Sequence, residues 1–278
     1  GNILARILSR RGLNLYAYGF GGFQIDQGPE GGDDPGLTRH RGDHHQHRQH
    51  RLLTEKLGVA SIALVAGWSM AGSQSYQWAA QYPDMVGAIV PFCASARTSP
   101  HNIVFLEGVK AALTADGDWN GGDYDTPPER GLRAFGRVYA GWAFSQTFYR
   151  DGHYRKLGFE TAEDLLMDWE EAHLHWDAND LLAKLWTWQN GDISANERYG
   201  GNIGNALAAI KARAILIPCS DDLYFPPQGN VLEVRHMGDA ELKPYSSPWG
   251  HCVANPGYDE GFEQFLDDCI HTVLGEAG

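Results

Sequence analysis

Ser69 stands in the hexapeptide Gly67-Trp68-Ser69-Met70-Ala71-Gly72, after an apolar run and before a helical pattern. A serine in a tight strand-to-helix turn projects its hydroxyl outward, the placement that nucleophilic attack on an acyl carbon needs. Such a turn demands small neighbours. Gly67 and Ala71 flank the serine, with alanine where a second glycine is usual. A serine hydroxyl alone is a weak nucleophile, so a base and an acid to orient it are expected downstream. In this kind of turn the chain order is serine, acid, histidine. Asp221 and Asp222 follow the buried-strand pattern Ile215-Leu216-Ile217-Pro218, at the tip where functional groups collect in open parallel sheets. Gly250-His251 follows the last weak strand, about thirty residues later. Ser69, His251 and one of these two carboxylates are therefore read as nucleophile, base and orienting acid. The backbone N–H of Met70 is expected to give one oxyanion donor. The sequence does not assign the second; Gly19 to Gly22 is a weak candidate for it.

The elements around these residues alternate. Arg48 to Leu57 reads as a helix ending at Gly58, Ser61 to Ala66 as a buried strand, and Ser73 to Tyr82 as a helix stopped by Pro83. Met85 to Phe92, Ala214 to Pro218 and, more weakly, Glu241 to Ser246 read as further strands. Tyr258 to Leu274 carries Phe262, Phe265, Leu266, Cys269, Ile270 and Val273 on one helical stripe. Strand, helix, strand with apolar parallel-type strands argues an α/β fold. Residues 97–207 show helical patterns, clearest over Asp164 to Trp176 and Asn179 to Trp188, and no convincing strand. They hold Trp119, Trp142, Trp169, Trp176, Trp186 and Trp188. This block is read as an inserted helical cap, and most of its tryptophans as core. The expected division is an atypical segment 1–46, a core of 47–96 and 208–278, and the cap 97–207.

Composition narrows the function classes. The chain has 278 residues and a formal net charge of −13, which disfavours a nucleic-acid partner. No apolar run approaches the roughly 18–20 residues that span a bilayer, and no signal-peptide pattern opens the chain, so a cytoplasmic protein without a membrane partner is expected. It begins at Gly1 rather than Met, so a processed or incomplete start is also expected. Residues 1–46 are Gly-rich, with only Leu13 to Phe20 resembling a strand, and then His-rich from His40. The His40 to His50 run is read as a solvated basic loop, and no metal is expected there. Cys93, Cys219, Cys252 and Cys269 lie far apart, with no CxxC pair, and are read as free thiols.

Taken together, these motifs resemble the homoserine O-acetyltransferase family of α/β-hydrolase-fold proteins, from about Arg48 to the C-terminus. Gly67 to Gln74 followed by Trp78 looks like the family's G-x-S-M-G-G-x-Q-x-x-x-W turn. Ser95-Ala96-Arg97-Thr98-Ser99 through Asn102, Phe105 and Glu107 looks like the stretch that opens its cap. Asp116 to Tyr124 matches its D-P-x-x-x-G-G-x-Y pattern, Asp222 to Pro227 its D-x-L-F-P-P acid loop, and Gly250-His251 its base. The resemblance implies an α/β-hydrolase fold, a mostly parallel sheet with the helical cap inserted and the first strands incomplete. It implies Asp222 as the acid. It implies acetyl transfer through a Ser69 acyl-enzyme, with acetyl-CoA as co-substrate, no bound cofactor, a small hydroxyl acceptor, and a homodimer built through the cap. Lys110 stands where amino-acid-specific members carry an arginine that pairs with the acceptor carboxylate. Lysine keeps the charge without the bidentate fork, so an acceptor other than homoserine is expected, and the Trp-rich cap points to a bulkier or more apolar one.

Acyl transfer is thus the leading expectation. A serine esterase on the same scaffold is the second, and a non-catalytic relative the third.

Overall fold

The structure is a computed structural model that describes residues 50–275. Leu13 to Phe20, Gly19 to Gly22 and the His-rich run up to Gln49 lie outside the described residues. Four strands form one parallel sheet in the order β1 (Val65–Trp68), β2 (Ala88–Phe92), β3 (Arg213–Leu216), β4 (Ala240–Leu242). Isolated bridges prolong each ladder: Ile62 with Val86, Phe92 with Ile217, and Cys219 with Tyr245. β1 and β4 depart furthest from the apolar runs: β1 begins at Val65 rather than Ser61 and is mostly half-buried, with Ser61 and Ala63 exposed, and β4 stops at Leu242, with Pro244 and Ser246 exposed.

Strand alternation divides the core. Ile89, Ala214 and Leu216 point to one side, where Tyr76, Ala79 and Ala80 of α1 (Met70–Gln81) meet them. Val90, Phe92, Ile215 and Ile217 point to the other, onto Phe262, Leu266 and Ile270 of the closing helix. With both faces covered, β2 is buried along its whole length, as a strand of a parallel sheet must be. Helix α1 starts at Met70, three residues before the helical pattern suggests, so the turn at Ser69 is tighter than expected. The first expected helix, Arg48 to Leu57, is described over 50–57 and takes a π-helical form across Leu52–Lys56.

Between β2 and β3 the chain makes a helical excursion: α2 (Pro100–Thr114), α3 (Glu129–Ala143), α4 (Gln146–Arg150), α5 (Ala162–His173), α6 (Ala178–Gln189) and α7 (Ile203–Ala208). Capping explains several starts. Ser99, Ser145, Thr161, Asp177 and Asn202 each accept a backbone N–H from the first turn that follows. The excursion is pinched at its neck: Thr98 N–H donates to the Gly191 carbonyl at 2.8 Å, and Arg97 pairs with Asp192 at 2.7 Å. Ala206, Leu207 and Ile210 lie beyond this neck and pack with Tyr76 under the sheet. Of the six tryptophans, Trp188 is buried, Trp119, Trp142 and Trp169 are half-buried, and Trp176 and Trp186 are exposed. Two helices complete the chain: α8 (Pro227–Val234), between β3 and β4, and the closing helix α9 (Glu260–Leu274), which carries the predicted apolar stripe with Phe265 half-buried.

Candidate active site

The turn after β1 is built by close approach. Ser69 adopts φ 60°, ψ −130°, a backbone that non-glycine residues avoid, and its N–H donates to the Phe92 carbonyl at 3.0 Å. A Cβ on Gly67 would strike the Ala71 backbone and sit 2.8 Å from the Ala71 Cβ. A Cβ on Gly72 would sit 2.5 Å from the Ala94 Cβ and 2.7 Å from the Gly67 carbonyl oxygen. The alanine at 71 is therefore tolerated because Gly67, facing it, has no side chain. Met70 is the first residue of α1, so its N–H lies outside the helix's own hydrogen-bond ladder and near the positive end of the helix dipole.

The acid and the base meet. His251 Nδ1 is 2.8 Å from Asp222 Oδ2, and both side chains are buried. Asp222 Oδ1 accepts the N–H groups of Tyr224 at 2.7 Å and Phe225 at 3.1 Å. Asp221 turns away: its Oδ2 accepts from the Ser246 hydroxyl at 2.9 Å and the Ser247 N–H at 3.2 Å. Of the two carboxylates the residue pattern left open, Asp222 is the one on the imidazole. His251 follows Gly250 at φ 57°, where a Cβ would lie 2.7 Å from the Ser145 nitrogen. Trp68 joins this loop to the Ser69 turn. Its Nε1 donates to the His251 carbonyl at 3.0 Å, and its ring lies 5.2 Å from the imidazole. Tyr224 and Phe225 bring two more rings against His251, at 4.8 and 5.5 Å.

The helical excursion contributes to this shell. Trp188 stacks on Phe225 at 5.1 Å, and Phe105 lies 5.2 Å from Tyr224. The Tyr224 hydroxyl donates to the Tyr139 carbonyl at 2.7 Å, and the Ser145 hydroxyl to the Pro248 carbonyl at 2.6 Å. Lys110 is elsewhere. It sits on the exposed side of α2, its side chain 49% accessible, with Glu107 3.7 Å away. Cys93 is the residue that motif reading missed. It is buried at the end of β2, at φ 46°, beside Asp222 and His251. Burial, and then the Asp222 charge, push its thiol well above the usual range, so it is a neutral thiol and not a thiolate nucleophile. Its position at a strand tip was the available signal.

No family model matches the chain. A search of characterised proteins finds an ethyl acetate hydrolase from Pseudomonas veronii, 32% identical over 254 residues, covering 90% of this chain and 67% of that one. The chain belongs to the homoserine O-acetyltransferase-like family of α/β-hydrolase-fold proteins. The family's members among its relatives are esterases and homoserine O-acyltransferases. A probable esterase of Corynebacterium glutamicum is 32% identical, covering 73% of this chain and 58% of its own length. The homoserine O-acetyltransferase of Chloroherpeton thalassium is 30% identical, covering 73% and 55%. The chain thus spans between about half and two thirds of the relatives it matches. Among solved structures, the acetyl esterase MekB superposes with a TM-score of 0.78 at 32% identity, covering 82% of this chain and 66% of that one. Among the described residues, no helix is long and apolar enough to cross a membrane.

Proposed function

We propose that the protein is a serine acyl-enzyme catalyst for short-chain acyl esters, with water as the acceptor. The observation that carries this reading is the strained Ser69 joined through Trp68 to a buried His251–Asp222 pair. In the proposed cycle the Ser69 hydroxyl attacks the ester carbonyl and its proton passes to His251. Asp222 holds the ring in register and stabilises the charge it gains. The carbonyl oxygen becomes an oxyanion facing the Met70 N–H. The alcohol leaves with the proton from His251, and a water deprotonated by the same ring releases the acid and frees Ser69. No bound cofactor takes part in this cycle. Water stands ahead of a hydroxyl acceptor for two reasons. Lys110, the group expected to meet an amino-acid carboxylate, lies on an exposed helix face beside Glu107. The relative covering most of this chain among those named above is an ester hydrolase.

Transfer from acetyl-CoA to a hydroxyl acceptor is the second reading. It is favoured by the homoserine O-acyltransferases among the relatives. We also propose that the residues between the neck contacts, 98–191, act as the cap, that the partners are a small acyl donor and acceptor, and that the protein works in the cytoplasm. A homodimer through the cap is a further proposal, tested by the solution mass.

Brief mixing with p-nitrophenyl acetate should release p-nitrophenol and leave an acetyl mass increase on the peptide carrying Gly67 to Gly72. Ser69→Ala should abolish both. A label that decays in buffer alone supports the hydrolase. A label from acetyl-CoA that persists until homoserine or another hydroxyl acceptor is added supports the transferase, and Lys110→Ala should then raise the acceptor KM. No label from either donor, in folded protein, overturns both readings.

A further inference from the structure

Cys93, Asp222 and His251 each offer one ligand atom, a sulfur, a carboxylate oxygen and an imidazole nitrogen. These atoms lie within 4.8 Å of one another. All three residues are buried; His251, at 6%, is the most accessible of them. The acyl-transfer cycle uses the acid and the base and gives the thiol no task. Yet the thiol is held in place with some care. Cys93 keeps a left-handed backbone, its N–H donating to the Ile217 carbonyl at 3.0 Å. A non-glycine residue stays there when its surroundings over-determine it, and such positions cluster at functional sites.

The donor set is selective. Thiolate and imidazole suit zinc and cadmium, whereas calcium and magnesium want oxygen ligands throughout. Zinc bonds of about 2.0–2.3 Å put tetrahedral ligand atoms roughly 3.3–3.8 Å apart, so small side-chain rotations close a triangle of this size.

We propose that Cys93, His251 and Asp222 form an inhibitory site for a thiophilic divalent cation, with Zn²⁺ as its natural occupant. Binding displaces the Cys93 S–H proton to water, and the proton that His251 shares with Asp222 moves to the other ring nitrogen, so the imidazole stays neutral. The sulfur and a ring nitrogen become metal ligands, one Asp222 oxygen completes three protein ligands, and a water takes the fourth place. No oxidation state changes. An imidazole held this way is no longer an oriented base, so the serine loses its proton acceptor. Because the thiol proton is released, occupancy rises with pH.

The inhibition arm rests on the proposed acyl-enzyme reading; the binding arm does not. The full chain, stripped with chelator and kept free of thiol reductant, is titrated with Cd²⁺ and followed by its ultraviolet thiolate-to-metal charge-transfer band. One equivalent should saturate the band. Cys93→Ser, which keeps the Cβ and the backbone, should abolish it, and Cys269→Ser should retain it. In ester hydrolysis, Zn²⁺ should inhibit reversibly, with chelator restoring the rate. Relative to its own metal-free rate, Cys93→Ser should need at least about tenfold more zinc. If Cys93→Ser fails to fold, His251→Ala takes its place in the cadmium titration and should weaken the band's midpoint. The proposal is overturned if the native chain gives no band, if the band survives Cys93→Ser, or if zinc inhibits both proteins alike. An inactive protein that still gives the Cys93-dependent band refutes the catalytic reading and leaves the metal site standing.

Discussion

Asp221 and Asp222 are chemically identical neighbours, and geometry separates them. Asp222 accepts from His251 and from two backbone N–H groups; Asp221 serves the loop at Ser246 and Ser247. Asp222→Asn should therefore cut kcat by on the order of 10⁴-fold, because an amide favours the wrong imidazole tautomer. Asp221→Asn should cost far less, and steady-state ester hydrolysis by the two variants checks this. An equal loss would reject the assignment. At this scale much was legible in the sequence. Ser69 and His251 stand in local patterns that a strand, a turn and small residues dictate. The choice between the two aspartates came from resemblance, since both follow the same strand. Cys93 was not legible as a neighbour of the pair. Its place depends on a φ of 46° and on which strand lies beside β2, neither of which a local pattern encodes.

The elements show what periodicity captures and what it does not. The α9 stripe was readable because a helix buried on one face repeats its apolar residues regularly. The start of α1 was misplaced by three residues, since Met70, Ala71 and Gly72 look like turn and form helix. Gly136 in α3 gives a test in which two effects oppose each other. An exposed helix interior gains about 1 kcal/mol when glycine becomes alanine. Here an added Cβ would meet the Trp169 carbonyl oxygen at 2.7 Å and His173 Nδ1 at 2.9 Å on α5. Backbone cannot yield cheaply, so overpacking of about 1–3 kcal/mol should win. Gly136→Ala should lower the urea midpoint; a raised midpoint would mean that α5 moves aside freely.

His173 adds a pH dependence to the same contact. Burial holds its imidazole below the ordinary value, with the Trp169 carbonyl opposing in part. A group with a depressed folded value binds its proton more readily when unfolded. Its contribution is present above about pH 6.5 and is lost as pH falls toward the depressed value. His173→Phe keeps a ring beside Phe135 and removes the titration. Thermal melts from pH 7.5 down to 5 should show a shallower acid decline in the variant. Equal slopes would place the acid sensitivity elsewhere.

For the whole molecule, sheet and helical excursion meet at the loops that carry the acid and the base. Tyr224 reaches Tyr139 from the acid loop, and Ser145 reaches Pro248 beside the base. Removing one such hydroxyl should cost about 0.5–1.5 kcal/mol of stability. Tyr224→Phe combined with Ser145→Ala should cost at least the sum in chemical denaturation. It should also lower kcat for the ester, since both loops lose their bracing. Unchanged kcat at reduced stability would show that the excursion merely rests on the sheet. The helical character of the block between β2 and β3 was legible in its patterns and lack of strands, whereas the packing of Ala206 and Leu207 with Tyr76 under the sheet depends on tertiary contacts that no local pattern encodes.

Arg213 lies against Ala88 although the entire excursion separates them. Closing so long a loop adds little to the equilibrium cost, which grows only with the logarithm of its length. Its kinetic consequence is larger, because non-local pairing slows folding. On a ribosome β1, α1 and β2 emerge well before β3, and β2 must wait with one edge unpaired. That edge is apolar on both faces, so the interval before β3 arrives is when the nascent chain is most prone to aggregate and most dependent on chaperones.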